Sequence, residues 1–450
     1  MTNNIFESTT GLTMRSSPTM SAANMAKEAE KRGKKVEIVT VGDLFPKPTA
    51  AETGEWLAQL KQQAANTSEE MFATLRPEAR AYAYSETAGL PSLRAAVAFT
   101  FTRDTGIEAT SAEVCVGTGG KGALNGAFFN TVKPGEKVFL AAPGWPTNYD
   151  MFAPGVVLVE IATGDGILRA DALTAAIKAH GEPALILINA PSNPTGANYT
   201  REEREAFFAA VTSLTKNTVV ASDDPYGKLI FRDEPYDIRA VLQRGPAEKA
   251  LFATARLACF RTASKEYGLA GERVGFVITK HAGMLMSLQR WNENKGGGMG
   301  VRNQELAQAA LLFGDQFIIR TVTQLTEKRK ILTDGIGALK YASMNAPGGT
   351  IYGWVDFAGL QGKTVTATQS ETGAAYRIDT PADMMRYLVN VAGVCGVPGT
   401  PFYAVGSPAA AADWHVRISF CCEKAQLERV ISNLAGAEAQ LEGNSRRAAS

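Results

Sequence analysis

The sequence has little of what would mark a nucleic-acid-binding, metal-binding or membrane-spanning protein. Its 46 lysines and arginines nearly balance 45 aspartates and glutamates, and a net charge of +1 does not favour nucleic acid or an anionic membrane surface. The three histidines, His180, His281 and His415, lie far apart, which argues against a histidine-built metal site. No apolar run approaches the roughly 20 residues that a membrane span needs.

Cysteine is also scarce. The five cysteines form no CxxC pair, and the adjacent Cys421 and Cys422 are poorly placed to bond to each other. The N-terminal stretch MTNNIFESTTGLTMRSS has no apolar signal-peptide core. These features favour reduced thiols and a cytoplasmic location.

The overall composition is typical of a large globular protein. The 450 residues, 45% hydrophobic and 20% charged, can bury two cores. From Val114 onward, apolar runs that read as strands alternate with helical patterns, among them VCVG, KVFLAA, ALILINAP, TVVASDD, LFATAR and RVGFVIT. This alternation predicts a parallel or mixed sheet covered by helices on both faces. We expect three regions: an N-terminal arm with part of a small domain (1–60), a large α/β domain (61–325), and the remainder of a small α+β domain with a C-terminal helix (326–450).

Polar motifs follow several of the predicted strands. Gly119-Gly120-Lys121 joins a strand to a helix, where backbone N–H groups can approach an anion, although no full Walker or GxGxxG pattern is present. Asn193-Pro-Thr-Gly follows a buried strand, and Asp223-Asp-Pro-Tyr226 ends another. Each motif alone also has an ordinary structural explanation, as a turn or a helix cap.

The stretch on which the interpretation depends is Thr262-Ala-Ser-Lys265-Glu-Tyr-Gly-Leu-Ala-Gly-Glu-Arg273-Val-Gly. A loop lysine is usually a solvated charge. Here Lys265 belongs to a series of motifs that follow one another along the chain in a particular order: YxxxxG at Tyr84, GGK, PGW, NPTG, DxxY, SK, RVG and a late arginine in a strand. Over about residues 18–440 this order resembles the class I/II aminotransferases, which are fold type I enzymes dependent on pyridoxal phosphate (PLP).

The resemblance implies a fold and a reaction. The fold is a large domain with a mixed, mostly parallel sheet between helices, plus a smaller α+β domain. The reaction moves an amino group between an amino acid and a 2-keto acid. Lys265 would carry PLP as a Schiff base and move the proton from Cα. Asp223 would face the pyridine nitrogen, since a close anion raises the pKa of that nitrogen and improves the electron sink. Tyr226 would bond the phenolate oxygen.

The resemblance also implies the remaining site residues. The expected cofactor-binding residues are Gly119, Gly120, Lys121, Trp145, Asn193, Asp223, Tyr226, Thr262, Ser264, Lys265, Arg273 and Tyr84. The expected substrate-binding residues are Arg417, which would grip the α-carboxylate, together with Gly42, Asn193 and Trp145. Tyr84 would reach the phosphate of the partner subunit, so the protein would be a homodimer with shared sites. No metal, nucleic acid or membrane partner is expected.

Three features depart from the family pattern: Gly144 before Trp145, Pro225 before Tyr226, and the glycine-rich stretch from Lys295 to Gly300. Near that stretch, Arg290 and Arg302 are the candidates for binding the second carboxylate of a dicarboxylic substrate. A lyase, decarboxylase, cyclase or oxidase on the same scaffold is the first alternative, because fold does not fix reaction. A regulator built on this domain is the second, and the absence of a basic patch argues against it.

Overall fold

The computed structural model describes residues 17–448 apart from 41, 68, 73–83, 232–235 and 297, and for 442–448 it describes the backbone alone. Its strands are, in chain order, β1 (Glu37–Ile38), β2 (Val114–Thr118), β3 (Lys137–Ala142), β4 (Val157–Ala162), β5 (Leu185–Asn189), β6 (Val219–Asp223), β7 (Leu257–Thr262), β8 (Val274–Thr279), β9 (Tyr352–Asp356), β10 (Thr364–Val365), β11 (Tyr376–Arg377), β12 (Val394–Cys395), β13 (Val397–Pro398) and β14 (His415–Ser419).

Helices flank these strands throughout the described residues. The longer ones are Pro18–Lys31, Ala50–Asn66, Pro91–Thr105, Gly119–Phe128, Ala170–His180, Arg201–Leu214, Pro246–Ala253, Ala282–Trp291, Val301–Phe313, Asp315–Gly337, Pro381–Tyr387 and Lys424–Ala448. Short helices are Thr147–Asp150, Ile238–Leu242, Ala263–Glu266 and Pro408–Ala411. Several begin at sequence signals: Thr200 and Glu203 form a capping box at the start of Arg201–Leu214, and Pro91 occupies the first turn of its helix. No helix in the described part of the chain is both long and apolar enough to cross a bilayer.

The large sheet has the strand order β2-β8-β7-β6-β5-β3-β4. Strand β8 runs antiparallel to both of its neighbours, and the other pairings are parallel. Alternate residues of each strand enter separate apolar clusters on the two faces, as Ile186 and Leu187 of β5 do. The sheet is therefore mixed, mostly parallel and covered on both faces, which confirms the predicted large domain.

The smaller α+β part combines both ends of the chain. Strand β14 pairs antiparallel with β9 and β13, and β1 pairs in parallel with β12. The helices Pro18–Lys31 and Lys424–Ala448 contact this part. The domain boundaries stay a prediction, and the one at 325/326 falls inside the continuous helix Asp315–Gly337.

One predicted strand is wrong. The LFATAR segment, which begins at Leu251, forms the end of the helix Pro246–Ala253 and the turn after it, and the strand in this region is the next segment, β7. The helix begins with Gly245 at its N-cap and Pro246 in its first turn. An apolar run this short does not distinguish a buried strand from a buried helix, and proline after glycine was the better signal.

Candidate active site

The carboxyl ends of the parallel strands meet at one edge of the large sheet. Asn189 ends β5 and pairs in register with Asp223 at the end of β6. Thr262 ends β7, and Gly119 follows the end of β2. The side chains of Asn189, Asp223 and Thr262 line a cavity of about 280 Å³. In open α/β sheets this edge is where ligands bind, because the loops that follow the strands leave a crevice there.

Lys265 enters this cavity from the short helix Ala263–Glu266, which directly follows β7. The Thr262 side chain caps that helix, with Oγ1 accepting a hydrogen bond from Ser264 N at 3.1 Å. The Lys265 Nζ donates to the carbonyl oxygen of Gly42. A Cβ at Gly42 would collide with the Tyr352 hydroxyl, so a glycine is needed where this backbone approaches the lysine.

Asp223 lies at the floor of the cavity and is 4% exposed. Asn189 Nδ2 donates to its carbonyl oxygen at 2.8 Å and lies 3.4 Å from its Oδ2. Within the described residues Asp223 forms no ion pair. Burial, with a smaller contribution from the neighbouring Asp224 charge, raises the pKa of Asp223 to about 8. A cationic N–H group placed against this carboxylate would restore its ionised form.

Arg417, Tyr226 and Tyr352 form the opposite wall. Arg417 projects from β14, where its Nη1 donates to Asn193 Oδ1 at 2.8 Å and its Nη2 donates to Thr40 O at 3.0 Å. Its guanidinium lies 4.1 Å from the Tyr352 ring centroid, and its buried Nε has no hydrogen-bond partner among the described residues. A carboxylate would therefore find a buried, prepositioned cation here.

The two tyrosine hydroxyls of this wall lie 3.1 Å apart. Burial, followed by the neighbouring Tyr352, raises the pKa of Tyr226 well above its ordinary value. The Tyr226 hydroxyl is consequently a protonated hydrogen-bond donor at neutral pH.

Two cations that line the cavity, Lys121 and Arg273, lie close enough to interact. Lys121 lies in the first turn of the helix Gly119–Phe128, and Arg273, with φ of 56°, immediately precedes β8. Burial, with a further contribution from the Arg273 charge, lowers the pKa of Lys121. Gly119 has φ of 70°, and a Cβ there would lie 2.5 Å from Arg273 Nη2. Two close cations at a helix N-terminus, beside the Ser264 hydroxyl, suit a phosphate-sized anion.

The sequence profile of the family described as aminotransferase class I and II matches residues 58–434 of this chain. The chain belongs to that family. It is 30% identical over 290 residues to the aspartate/prephenate aminotransferase of Cereibacter sphaeroides, covering 62% of this chain and 68% of that protein. It is 26% identical over 418 residues to a probable aspartate/prephenate aminotransferase of Rickettsia conorii, covering 92% of this chain and 93% of that protein.

Solved structures show the same fold. The aspartate aminotransferase from Rhizobium meliloti superposes with a TM-score of 0.78 at 23% identity, over 96% of this chain and 98% of that one. The aspartate aminotransferase from Thermus thermophilus with maleate superposes with a TM-score of 0.72 at 22% identity, over 94% of this chain and 97% of that one. The predicted fold type and the aminotransferase prediction are confirmed, and the lyase, decarboxylase, cyclase and oxidase alternatives are not favoured. The family depends on PLP in general.

In this aminotransferase the predicted site residues come together with two exceptions. Gly119 contributes backbone beside the cavity, and its N–H donates to Arg273 O at 2.8 Å. Tyr84 lies outside the cavity with 93% of its surface exposed. The other predicted residues all line the cavity: Gly42, Gly120, Lys121, Trp145, Asn193, Asp223, Tyr226, Thr262, Ser264, Lys265, Arg273 and Arg417. Their individual roles stay predictions.

The departures from the family pattern have local explanations in part. A Cβ at Gly144 would lie 2.7 Å from Ala141 O, and the Gly144 N–H donates to Phe402 O at 2.8 Å. The glycine before Trp145 therefore allows the chain to turn back closely against the end of β3. The candidates Arg290 and Arg302 do not line the cavity. Among the described residues, no group of three or more His, Cys, Asp or Glu side chains is placed to hold a metal ion.

The sequence prediction missed three polar residues that line the cavity: Tyr352, Asn189 and Thr19. Asn189 could have been found, because it is a polar residue at the carboxyl end of a buried strand. Tyr352 begins β9, and Thr19 lies in the first helix; both reach the site through long-range packing, for which neither carries a local motif.

Proposed function

We propose that this aminotransferase binds PLP in the cavity at the sheet edge and transfers the amino group of an amino acid to a 2-keto acid. The observation that carries the proposal is the set of charges that line one cavity: the neighbouring cations Lys121 and Arg273, the amine of Lys265, and the buried carboxylate of Asp223. The cofactor's phosphate matches the first and its pyridine nitrogen matches the last.

The residues assigned to the cofactor are those predicted. Gly120, Lys121, Thr262, Ser264 and Arg273 would hold the phosphate. Asp223 would hold a proton on the ring nitrogen, and the Tyr226 hydroxyl and Asn193 would bond the phenolic oxygen, with Trp145 against the ring. When bound, PLP supplies an electron sink that stabilises negative charge at the amino acid's Cα.

The protein's own contribution is binding, orientation and proton transfer. Arg417 binds the α-carboxylate of the amino acid through two N–H groups and so fixes the direction of the Cα–H bond. The Lys265 Nζ would remove the Cα proton as a general base. Because Arg417 holds the carboxylate, loss of that carboxylate is disfavoured relative to loss of the proton.

The substrate side chain would extend into an adjoining cavity of about 590 Å³, which shares Thr19, Lys121, Trp145 and Arg417 with the first. Its wall is mainly apolar, with Met25, Phe402, Tyr403 and Val405 among the residues that line it. The cations lining it are Lys121 and Arg417, and Asp150 adds a carboxylate. We therefore expect bulky apolar or aromatic amino acids to react better than aspartate, although the relatives' names include aspartate.

The test is a half-reaction with a panel of amino acids, including L-phenylalanine, L-leucine and L-aspartate. One amino acid alone should convert the bound cofactor to its amino form, release one keto acid per site and then stop. An added 2-keto acid should restore the original absorbance. Continuous turnover without an acceptor, releasing ammonia or carbon dioxide, would contradict transamination. A faster reaction with aspartate than with phenylalanine would contradict the substrate class alone.

We also propose a homodimer in which Tyr84 completes the partner's site. The support is that Tyr84 is 93% exposed and is not among the residues that line the cavity of its own chain. The cytoplasmic location stays a prediction from the sequence.

A further inference from the structure

Glu266 directly follows Lys265 but does not line the cavity. Its side chain is turned into the protein and the residue is 2% exposed. A single oxygen, Oε1, accepts two hydrogen bonds: one from the backbone N–H of Lys228 at 2.9 Å and one from Arg261 Nη2 at 2.9 Å. A buried carboxylate is costly to desolvate, and these two donors satisfy it.

The two donors belong to different parts of the site. Arg261 lies in β7, the strand that leads into the Lys265 helix. Lys228 lies in the turn that follows β6, two positions beyond Tyr226. That turn is closed by hydrogen bonds from Gly227 N to Asp224 O at 3.2 Å and from Leu229 N to Tyr226 O at 2.8 Å. The Glu266 carboxylate therefore ties the turn that carries Tyr226 to the helix that carries Lys265.

Lys228 adds a second tie between the same two segments. Its Nζ donates to the Tyr267 hydroxyl at 2.8 Å and lies 3.2 Å from Asp104 Oδ2. Lys228 and Tyr267 are both fully buried. A Cβ at Gly227 would lie 3.3 Å from Glu266 Oε1, so this contact leaves little free space. Both residues that follow Lys265 in the chain are thus bound to one residue of the Tyr226 turn.

We propose that Glu266 is a positioning residue for the transamination: it holds the Lys265 amine and the Tyr226 hydroxyl in a fixed relation across the cavity. It touches neither substrate nor cofactor and acts through the two segments it joins. This inference rests on the proposed function, because it concerns the lysine and tyrosine assigned there. Misplacement of a reacting group by about 1 Å can cost a factor of about 100 in rate.

Two substitutions separate the hydrogen bonds from the charge. Glu266→Gln keeps a side-chain oxygen that can accept from Lys228 and Arg261, whereas Glu266→Ala removes the acceptor. We expect Glu266→Ala to lower kcat about 10- to 100-fold, with KM for the amino acid changed by less than about threefold. Glu266→Gln should stay within about threefold of wild type in both constants.

Glu37→Ala is the matched control. Glu37 is a 6% exposed carboxylate paired with Arg429 at 2.7 Å, and it lies outside the cavity. Its loss should lower the melting temperature and leave kcat unchanged. The second readout is the induced circular dichroism in the absorption band of the bound cofactor, which reports the orientation of the ring. It should weaken in Glu266→Ala and be preserved in Glu266→Gln and Glu37→Ala.

A Glu266→Ala enzyme with wild-type kcat and circular dichroism and a lowered melting temperature would show a purely structural role, as would a change confined to KM. If Glu266→Ala does not fold, Glu266→Asp decides, because it keeps the charge but draws the carboxylate back from Lys228 and Arg261: a fall in kcat with a weakened cofactor signal supports the proposal, and wild-type values overturn it. A wild-type protein without any half-reaction would instead overturn the proposed function.

Discussion

Asp223→Asn should make the cofactor-free protein more stable and the enzyme inactive. In the folded protein burial raises the pKa of Asp223 to about 8, against an ordinary value of 3.8. Between these values the unfolded chain releases the proton and the folded protein keeps it, so the unfolding free energy falls as pH rises from about 4 to about 8. Asparagine cannot ionise, and its side-chain oxygen can still accept from Asn189.

The size of the stabilisation follows from the pKa shift of Asp223. At pH 7 the unfolding free energy of the wild-type protein is lower, by up to about 4 kcal/mol, than that of a protein whose side chain at this position never ionises. Each pKa unit corresponds to about 1.4 kcal/mol. The increase in unfolding free energy caused by Asp223→Asn should be near zero at pH 4 and largest above pH 8. Turnover should fall by orders of magnitude, because the variant lacks the anion that holds the ring proton.

The assay is denaturant unfolding of the cofactor-free wild-type and variant proteins at a series of pH values from 5 to 8.5. Asp224→Asn is the comparison: its carboxylate accepts from Ser222 Oγ at 2.8 Å and lies 3.6 Å from Arg244 Nη2, so its loss should destabilise the protein. Parallel stability curves for Asp223→Asn and wild type would show that Asp223 is ionised in the free protein, and the electrostatic reasoning would be wrong. Near-normal activity would make Asp224 the better candidate for the ring nitrogen.

Two further predictions concern the assigned roles. Borohydride reduction of the holoenzyme followed by peptide mapping should place the pyridoxyl label on Lys265; a label on Lys121 would contradict the assignment. Mixed dimers of Tyr84→Phe and Lys265→Ala subunits should recover part of the activity, because one of their two sites carries neither substitution; a fully active monomer in solution would refute the shared site.

Much of the site could be predicted because its residues sit in local motifs at strand ends. A parallel α/β sheet brings those ends to one edge whatever the length of the intervening helices. Asn193, Asp223 and Lys265 each follow an apolar run within a few positions, so their convergence follows from the fold. Arg417 was found because the family pattern ends with an arginine in a late strand.

What could not be predicted depends on contacts between distant segments. Tyr352 reaches Tyr226 across 126 positions of the chain, and Arg417 Nη2 binds Thr40 O across 377. No periodicity or turn signal encodes such pairings. The glutamate at 266 illustrates the same limit: after a lysine it reads as a solvent-exposed charge, and its burial becomes evident once the Lys228 backbone is seen to donate to it.

The two ends of the cavity explain why a zwitterionic cofactor suits this chain. At one end Lys121 and Arg273 repel each other, and burial together with that repulsion lowers the pKa of Lys121. At the other end the buried Asp223 beside Asp224 holds a proton that it would release in water. Each end is less stable alone than with an opposite charge bound to it. A ligand with an anionic group at one end and a protonatable nitrogen at the other relieves both, and an anion alone relieves one. The same charges that weaken the ligand-free protein would therefore supply affinity and fix the direction in which the proposed cofactor binds.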